Sequence, residues 1–217
     1  KSKEITNNVP NIIVGDQKQL PPSSRFEKDY TSDEILDDDV DVEYSESILE
    51  LADKVIGSKN ALSLGWHYRS RHTSLIDFSN YYFYDNKLTV FASNDVGSQV
   101  VHKPVENSQY RGGVNLPEVK AVMDALLEQI KIDKEKSIII ATMNQQQESE
   151  VNLALEAELQ NNKMLRDFDS KHQGNLDELV VKKLEDIQGD ERDVVIISTV
   201  YGPDADGKIT QMFGDIN

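Results

Sequence analysis

An α/β fold, a mostly parallel sheet with helices on both faces, is the fold class this chain predicts, and three observations carry it. Two short, continuous apolar runs, "SIIIAT" at 137–142 and "DVVIISTVYG" at 193–202, have the length and β-branched content of strands buried on both faces. Two longer stretches, "NLPEVKAVMDALLEQIKI" at 115–132 and "QQESEVNLALEAELQ" at 146–160, repeat their apolar residues at helical spacing. The two kinds alternate along the chain, and strands alternating with amphipathic helices make a parallel sheet.

The elements follow in order. Ile12, Ile13 and Val14 form an apolar run that reads as a strand in the middle of such a sheet. Gly15 and Asp16 break it, and Pro21 and Pro22 forbid regular continuation. Residues 26–47 are rich in carboxylates and have no apolar period, as expected of a solvated linker. A helix should start within "SILELADKVI" at 47–56. "TSLIDFSNYYFY" at 73–84 puts Leu75, Ile76, Phe78, Ser79 and Tyr82 near one helical face. Helix 115–132 carries Pro117 in its first turn, with Val119, Val122, Met123, Leu126, Leu127 and Ile130 as its stripe.

Composition narrows the function. The 217 residues carry a net charge of −16, whereas a stand-alone nucleic-acid binder usually presents a basic face. A narrow basic track on an acidic body remains open, and "HYRSRH" at 67–72 could be part of one. With no cysteine, disulfides and thiolate metal sites are excluded. No apolar run approaches the ~18 residues of a membrane span, and a cytoplasmic protein with no membrane partner fits best. Asp37, Asp38 and Asp39 are consecutive and cannot all face one ion, which weighs against a metal-dependent nuclease. His67 and His72 lie five apart, a spacing that suits zinc on neither helix nor strand.

Four polar clusters flank the regular elements: "GDQKQLPP", "LGWHYRSRH", "ATMNQQQ" and "LEDIQGDERDVVIIST". Polar side chains just past the carboxyl ends of parallel strands are where open α/β sheets bind ligands. Taken singly, each cluster also has a purely structural explanation. Trp66 and Tyr68 could pack, Arg69 and Arg71 could form surface ion pairs, and Asp190, Glu191 and Asp193 could make a solvated turn.

Taken together, the clusters resemble superfamily 1 helicases of the Upf1-like branch, and large multi-domain bacterial helicase-like proteins more closely still. "VGDQKQLPP" is similar to motif III, "LGWHYRSRH" to motif IV and "LEDIQGDERDVVIISTVYG" to motif V, in the family's order. The resemblance covers most of the chain and is loosest at 24–47 and 92–114. It implies RecA-like domains of the P-loop NTPase type: residues 1–24 as the tail of the first, 25–47 as linker, 48–217 as an incomplete second motor domain. The implied activity is ATP hydrolysis coupled to movement on single-stranded nucleic acid, DNA before RNA.

By the same resemblance Gln19 senses the γ-phosphate, Asp16 belongs to that coupling loop, and Arg69 is an arginine finger. Tyr68 stacks near the adenine, and Gln188, Gly189 and Glu191 line the nucleotide cleft. Thr142, Gln147 and Lys183 take the nucleic-acid side. Lys183 stands where the family has threonine, and Ile187 where it has phenylalanine.

No Gly-rich loop ending in Gly-Lys-Ser/Thr follows a strand, and no apolar strand ends in Asp-Glu. ATP and Mg2+ are therefore expected to be held mainly by the first RecA-like domain of the same protein. The chain itself is expected to be an inactive fragment. A non-enzymatic interaction module on a helicase fold is the alternative, and the nuclease a more distant one.

Overall fold

A computed structural model describes residues 12–19, 47–91, 97–204 and 206–209. The chain divides into two compact units, Lys1–His102 and Lys103–Asn217. The expected acidic linker lies outside the described residues, apart from Ser47.

In the first unit, helix α1 (Ile48–Ile56) begins where Ser47 accepts a hydrogen bond from the backbone N–H of Glu50 at 3.2 Å. Strand β1 (Trp66–His67) pairs in parallel with β2 (Thr89–Val90). Between them lie a 3-10 turn, Thr73–Leu75, and helix α2 (Asp77–Phe83). The helix expected over 73–84 is thus broken, because Leu75 and Ile76 belong to the tighter entry turn. Its apolar side is not sealed: Leu75, Phe78 and Tyr82 stay about half-exposed or more. The rings pack on one another, with Phe78 and Tyr82 centred 4.7 Å apart.

The run at 12–14, expected as a buried strand, forms none, and Ile12 and Val14 are exposed. No described strand pairs with it, so its apolar side chains have no sheet to be buried in.

The second unit is built as the sequence predicts at its centre. Helix α3 (Leu116–Ile132) leads to β3 (Ile138–Thr142), then to α4 (Gln145–Asn161). Next come α5 (Lys163–His172), β4 (Val180–Lys183), a 3-10 turn at Leu184–Ile187, and β5 (Val194–Ser198). The three strands form a parallel sheet in the order β4-β3-β5, with Ile140 opposite both Val181 and Ile196. Every residue of β3 is buried, as a central parallel strand requires.

The core lies between the sheet and its helices. The stripe Val119, Val122, Met123, Leu126 and Ile130 packs with Val151 and Leu155 of α4, Leu165 and Phe168 of α5, and Ile138, Ile140 and Val181 of the sheet. Leu127 flanks it, half-buried. Each such side chain stabilises the fold by roughly 1.5–3 kcal/mol.

Strand side chains alternate between faces, and the helix-packed set contains only Ile138, Ile140, Val181 and their partners Val194 and Ile196. Among the described residues of this unit, helices therefore cover one face rather than both. On the other face Val195 and Ile197 are about half-exposed. The strand expected over 193–202 is also shorter, ending at Ser198. No described helix is long and apolar enough to cross a membrane.

Candidate functional site

The loop after residue 14 is organised by Asp16. Its Oδ1 accepts from the backbone N–H of Lys18 at 2.9 Å, and its Oδ2 from the side-chain amide of Gln19 at 3.2 Å. Asp16 and Gln19 are thus brought together in one turn. Tyr84, which sequence reasoning missed, donates its hydroxyl to Asp16 Oδ2 at 2.6 Å from 68 residues away. Burial raises the Asp16 pKa, but the bonds from Tyr84, Lys18 and Gln19 outweigh it and hold the carboxyl below its ordinary 3.8. Burial and then the Asp16 carboxylate push the Tyr84 phenol up to about 12.

Tyr68 and Arg69 sit on a small closed loop. Ser70 places its backbone N–H and its hydroxyl 3.1 and 2.7 Å from His67 Nε2, so that nitrogen acts as an acceptor and residues 68–69 form the tip. Burial, followed by the Arg69 charge, lowers the His67 pKa from 6.5 and keeps the acceptor available. Tyr68 is 83% exposed and Arg69 is exposed as well. Trp66 does not enter a core but lies against Phe91, with ring centres 5.3 Å apart.

In the second unit the carboxyl ends of β3 and β5 meet the N-termini of α3 and α4 in a buried polar network. Thr142 and Gln147, assigned to nucleic acid by resemblance, are both fully buried. Thr142 donates to the Asn144 carbonyl at 3.0 Å. Gln147 accepts from the Asn115 backbone N–H at 2.9 Å and donates to Ser198 Oγ at 3.1 Å. Their polar atoms thus face inward and fix the strand ends.

Asn115 and Glu118 complete this network, and sequence reasoning passed over them. Asn-x-x-Glu at a helix start reads as a capping box, in which the Glu turns back to the capping residue's N–H. Here Gln147 takes that N–H, and Glu118 Oε1 reaches β5 instead. It accepts from Ser198 Oγ and Val200 N at 3.1 Å each, and from Thr199 Oγ1 at 3.4 Å. The Pro-Glu pair behind a capping Asn was the available signal.

The cluster at 184–193 is a solvent-facing turn. Asp190 N donates to the Ile187 carbonyl at 2.9 Å, with Gln188 at φ −57°, ψ 121° and Gly189 at φ +89°. That is a type II turn, whose third position needs glycine. Gln188, Gly189 and Glu191 are all exposed on it. Lys182 pairs with Asp190 at 2.6 Å and Lys183 with Asp186 at 3.3 Å, so both lysines lie beside the turn. Among the described residues no group of His, Asp or Glu is placed to hold a metal ion.

Parallel strands, helices on the sheet and polar groups at the carboxyl ends are the layout of a P-loop NTPase-type domain. Residues 95–213 match the protein family described as "AAA domain". This chain belongs to that family. It is also similar to the uncharacterized ATP-dependent helicase of Mycoplasma genitalium, at 32% identity over 201 residues, 88% of this chain. A homolog of that helicase in Mycoplasma pneumoniae is 33% identical over the same share. The chain spans 17% of the length of each of these relatives. It is thus an AAA-type ATPase segment related to ATP-dependent helicases.

Proposed function

We propose that the protein containing this chain is an ATP-dependent helicase of superfamily 1, Upf1-like type, in which residues 1–24 end the first RecA-like motor domain, 25–47 are a linker and 48–217 are part of the second. One observation carries the reading. Motifs similar to III, IV and V stand in helicase order in a chain whose relatives, similar along 88% of it, bear the name of ATP-dependent helicases. In this reading Arg69 stabilises charge on the departing γ-phosphoryl group from an exposed loop tip, and Tyr68 stacks on the adenine. Asp16 and Gln19 relay the state of the γ-phosphate, while Gln188, Gly189 and Glu191 border the nucleotide. Lys183 attracts the phosphates of single-stranded nucleic acid. Thr142 and Gln147 act from the interior, by holding the strand ends that the nucleic acid crosses. The first RecA-like domain is the partner that would supply the P-loop and the Mg2+ ligand.

The test uses the full-length protein. ATP hydrolysis should be Mg2+-dependent and stimulated by single-stranded oligonucleotides, with DNA the stronger effector. A pure, folded full-length protein that hydrolyses no ATP with or without strands would overturn the reading in favour of an interaction module.

A further inference from the structure

Val200, just past β5, is a fully buried β-branched residue at φ +66°. Asp85, Asn86 and Asn107 also have positive φ, but Asp and Asn tolerate that region and valine does not. Tyr201 N donates to the Thr199 carbonyl at 2.6 Å, closing a three-residue turn around Val200 of the rarer, strained kind. Such backbone persists only where its surroundings over-determine it.

Here they do. Glu118 accepts from the Val200 N–H at 3.1 Å, and the Asn115 side-chain amide donates to the Val200 carbonyl at 3.0 Å. Both polar groups of one residue are thus gripped from the first turn of α3. Gly202 closes the arrangement, since a Cβ there would lie 2.4 Å from Ser108 Oγ. Tyr110 N donates to the Pro203 carbonyl at 3.0 Å, tying residue 110 to the same loop. The turn leaves Tyr201 half-buried, still partly open to solvent, with its ring centre 5.6 Å from that of Tyr110. Beside Tyr110 opens a cavity of about 330 Å³, with Gln109, Arg111 and Glu150 in its wall.

We propose that Asn115 and Glu118 are positioning residues that lock the turn at 199–201, so that Tyr201, paired with Tyr110, offers a stacking surface to a base of single-stranded nucleic acid. The proposal rests on the helicase reading and adds a contact to it. Aromatic faces take any base, and the site lies at the carboxyl ends of the parallel strands, where such sheets bind ligands. Arg111 next to Tyr110 supplies a cation for the adjoining phosphate.

The experiment uses the full-length protein, a fluorescent oligothymidylate and hydrogen exchange of the peptide spanning 198–202. Tyr201→Ala should weaken binding about tenfold. Glu118→Ala should weaken it similarly and raise exchange of the Val200 amide about tenfold or more. Glu118→Gln, which keeps an oxygen acceptor in place, should restore both. The double variant Glu118→Ala/Tyr201→Ala should lose about tenfold and not a hundredfold, because one residue acts through the other. Unchanged binding in Tyr201→Ala, unchanged exchange in Glu118→Ala, or additive losses would each overturn the proposal. Tyr201→Ala alters a half-buried ring outside the buried core and keeps the test open should Glu118→Ala not fold. A wild-type protein that binds no strand overturns the helicase reading and the stacking role with it. The exchange measurement still judges the lock by itself, so the two failures are told apart.

Discussion

Tyr84 donates its hydroxyl to Asp16 at 2.6 Å, joining the loop at 15–19 to the segment just past α2. Removing the donor with Tyr84→Phe should destabilise the first unit by about 1 kcal/mol, the bond being charge-assisted but only partly buried. It should also let the Asp16 carboxyl rise. The pH window follows from the two shifts. The Tyr84 phenol is raised to about 12, so its contribution is complete below 10 and is lost as pH climbs from 10 through about 12. The Asp16 carboxyl is lowered, so its contribution is present above 3.8 and is lost as pH falls through the lowered value. Urea unfolding across pH, with ultraviolet titration of tyrosinate, checks both limits.

His67 should titrate below 6.5, and Arg69→Ala should move it upward by removing a nearby positive charge. Its folded-state value is depressed, so the loop's stabilisation is present above 6.5 and lost as pH drops through that lower value. Protonated Nε2 cannot accept from Ser70. Proton NMR of the imidazole reads the midpoint, and a titration at or above 6.5 would contradict the closed loop.

Arg69→Ala in the full-length protein should cut ATP turnover by about 10³–10⁵, with a much smaller change in ATP affinity. Arg69→Lys should restore little, because lysine keeps the charge but not the planar fork. Arg71→Ala should be mild. Steady-state kinetics decide, and near-normal turnover in a folded Arg69→Ala protein would reduce Arg69 to a surface ion-pair residue.

Two substitutions separate core packing from strand stapling. Leu126 is fully buried on α3, and Leu126→Ala should cost about 2–5 kcal/mol. Asp193 Oδ2 accepts from both the N–H and the hydroxyl of Ser137 at 3.0 Å, tying the starts of β3 and β5. Asp193→Ala should cost only about 1 kcal/mol, since Asp193 is exposed. Chemical denaturation midpoints at constant slope measure each.

The 217-residue chain alone should show no Mg2+-dependent ATP hydrolysis above background, for want of a P-loop sequence. With a net charge of −16 it should bind single strands weakly and with a shallow salt dependence. Tight binding at physiological salt would mean that the basic track lies elsewhere than placed, and Lys182 and Lys183 would be the first residues to substitute.

Helix α3 and strand β3 could be read residue by residue, because a helical stripe and a doubly buried strand each write their burial into local spacing. α5 and β4 could have been read too. Leu165 and Phe168 repeat at helical spacing behind a capping Asn162, and "LVVKK" is a short strand ending in lysines. A single residue, Asn162, separates α4 from α5, so the break between the two helices leaves almost no mark in the sequence. The run at 12–14 misled in the opposite way. Apolar character there states what the segment could bury and not whether a neighbouring strand is present.

By itself the sequence determined the α/β alternation, the core stripe, and the order of motifs that places the chain near helicases. These depend on residue type and on short-range periods of two and 3.6, which a linear string displays directly. Only the tertiary structure decided that the described helices gather on one face of the sheet, and that Glu118 leaves its capping role to hold Val200. It likewise decided that Thr142 and Gln147 face inward and that Tyr84 finds Asp16. Each of these is a meeting of groups tens of residues apart, selected because a buried donor or acceptor must find a partner wherever the packed chain provides one.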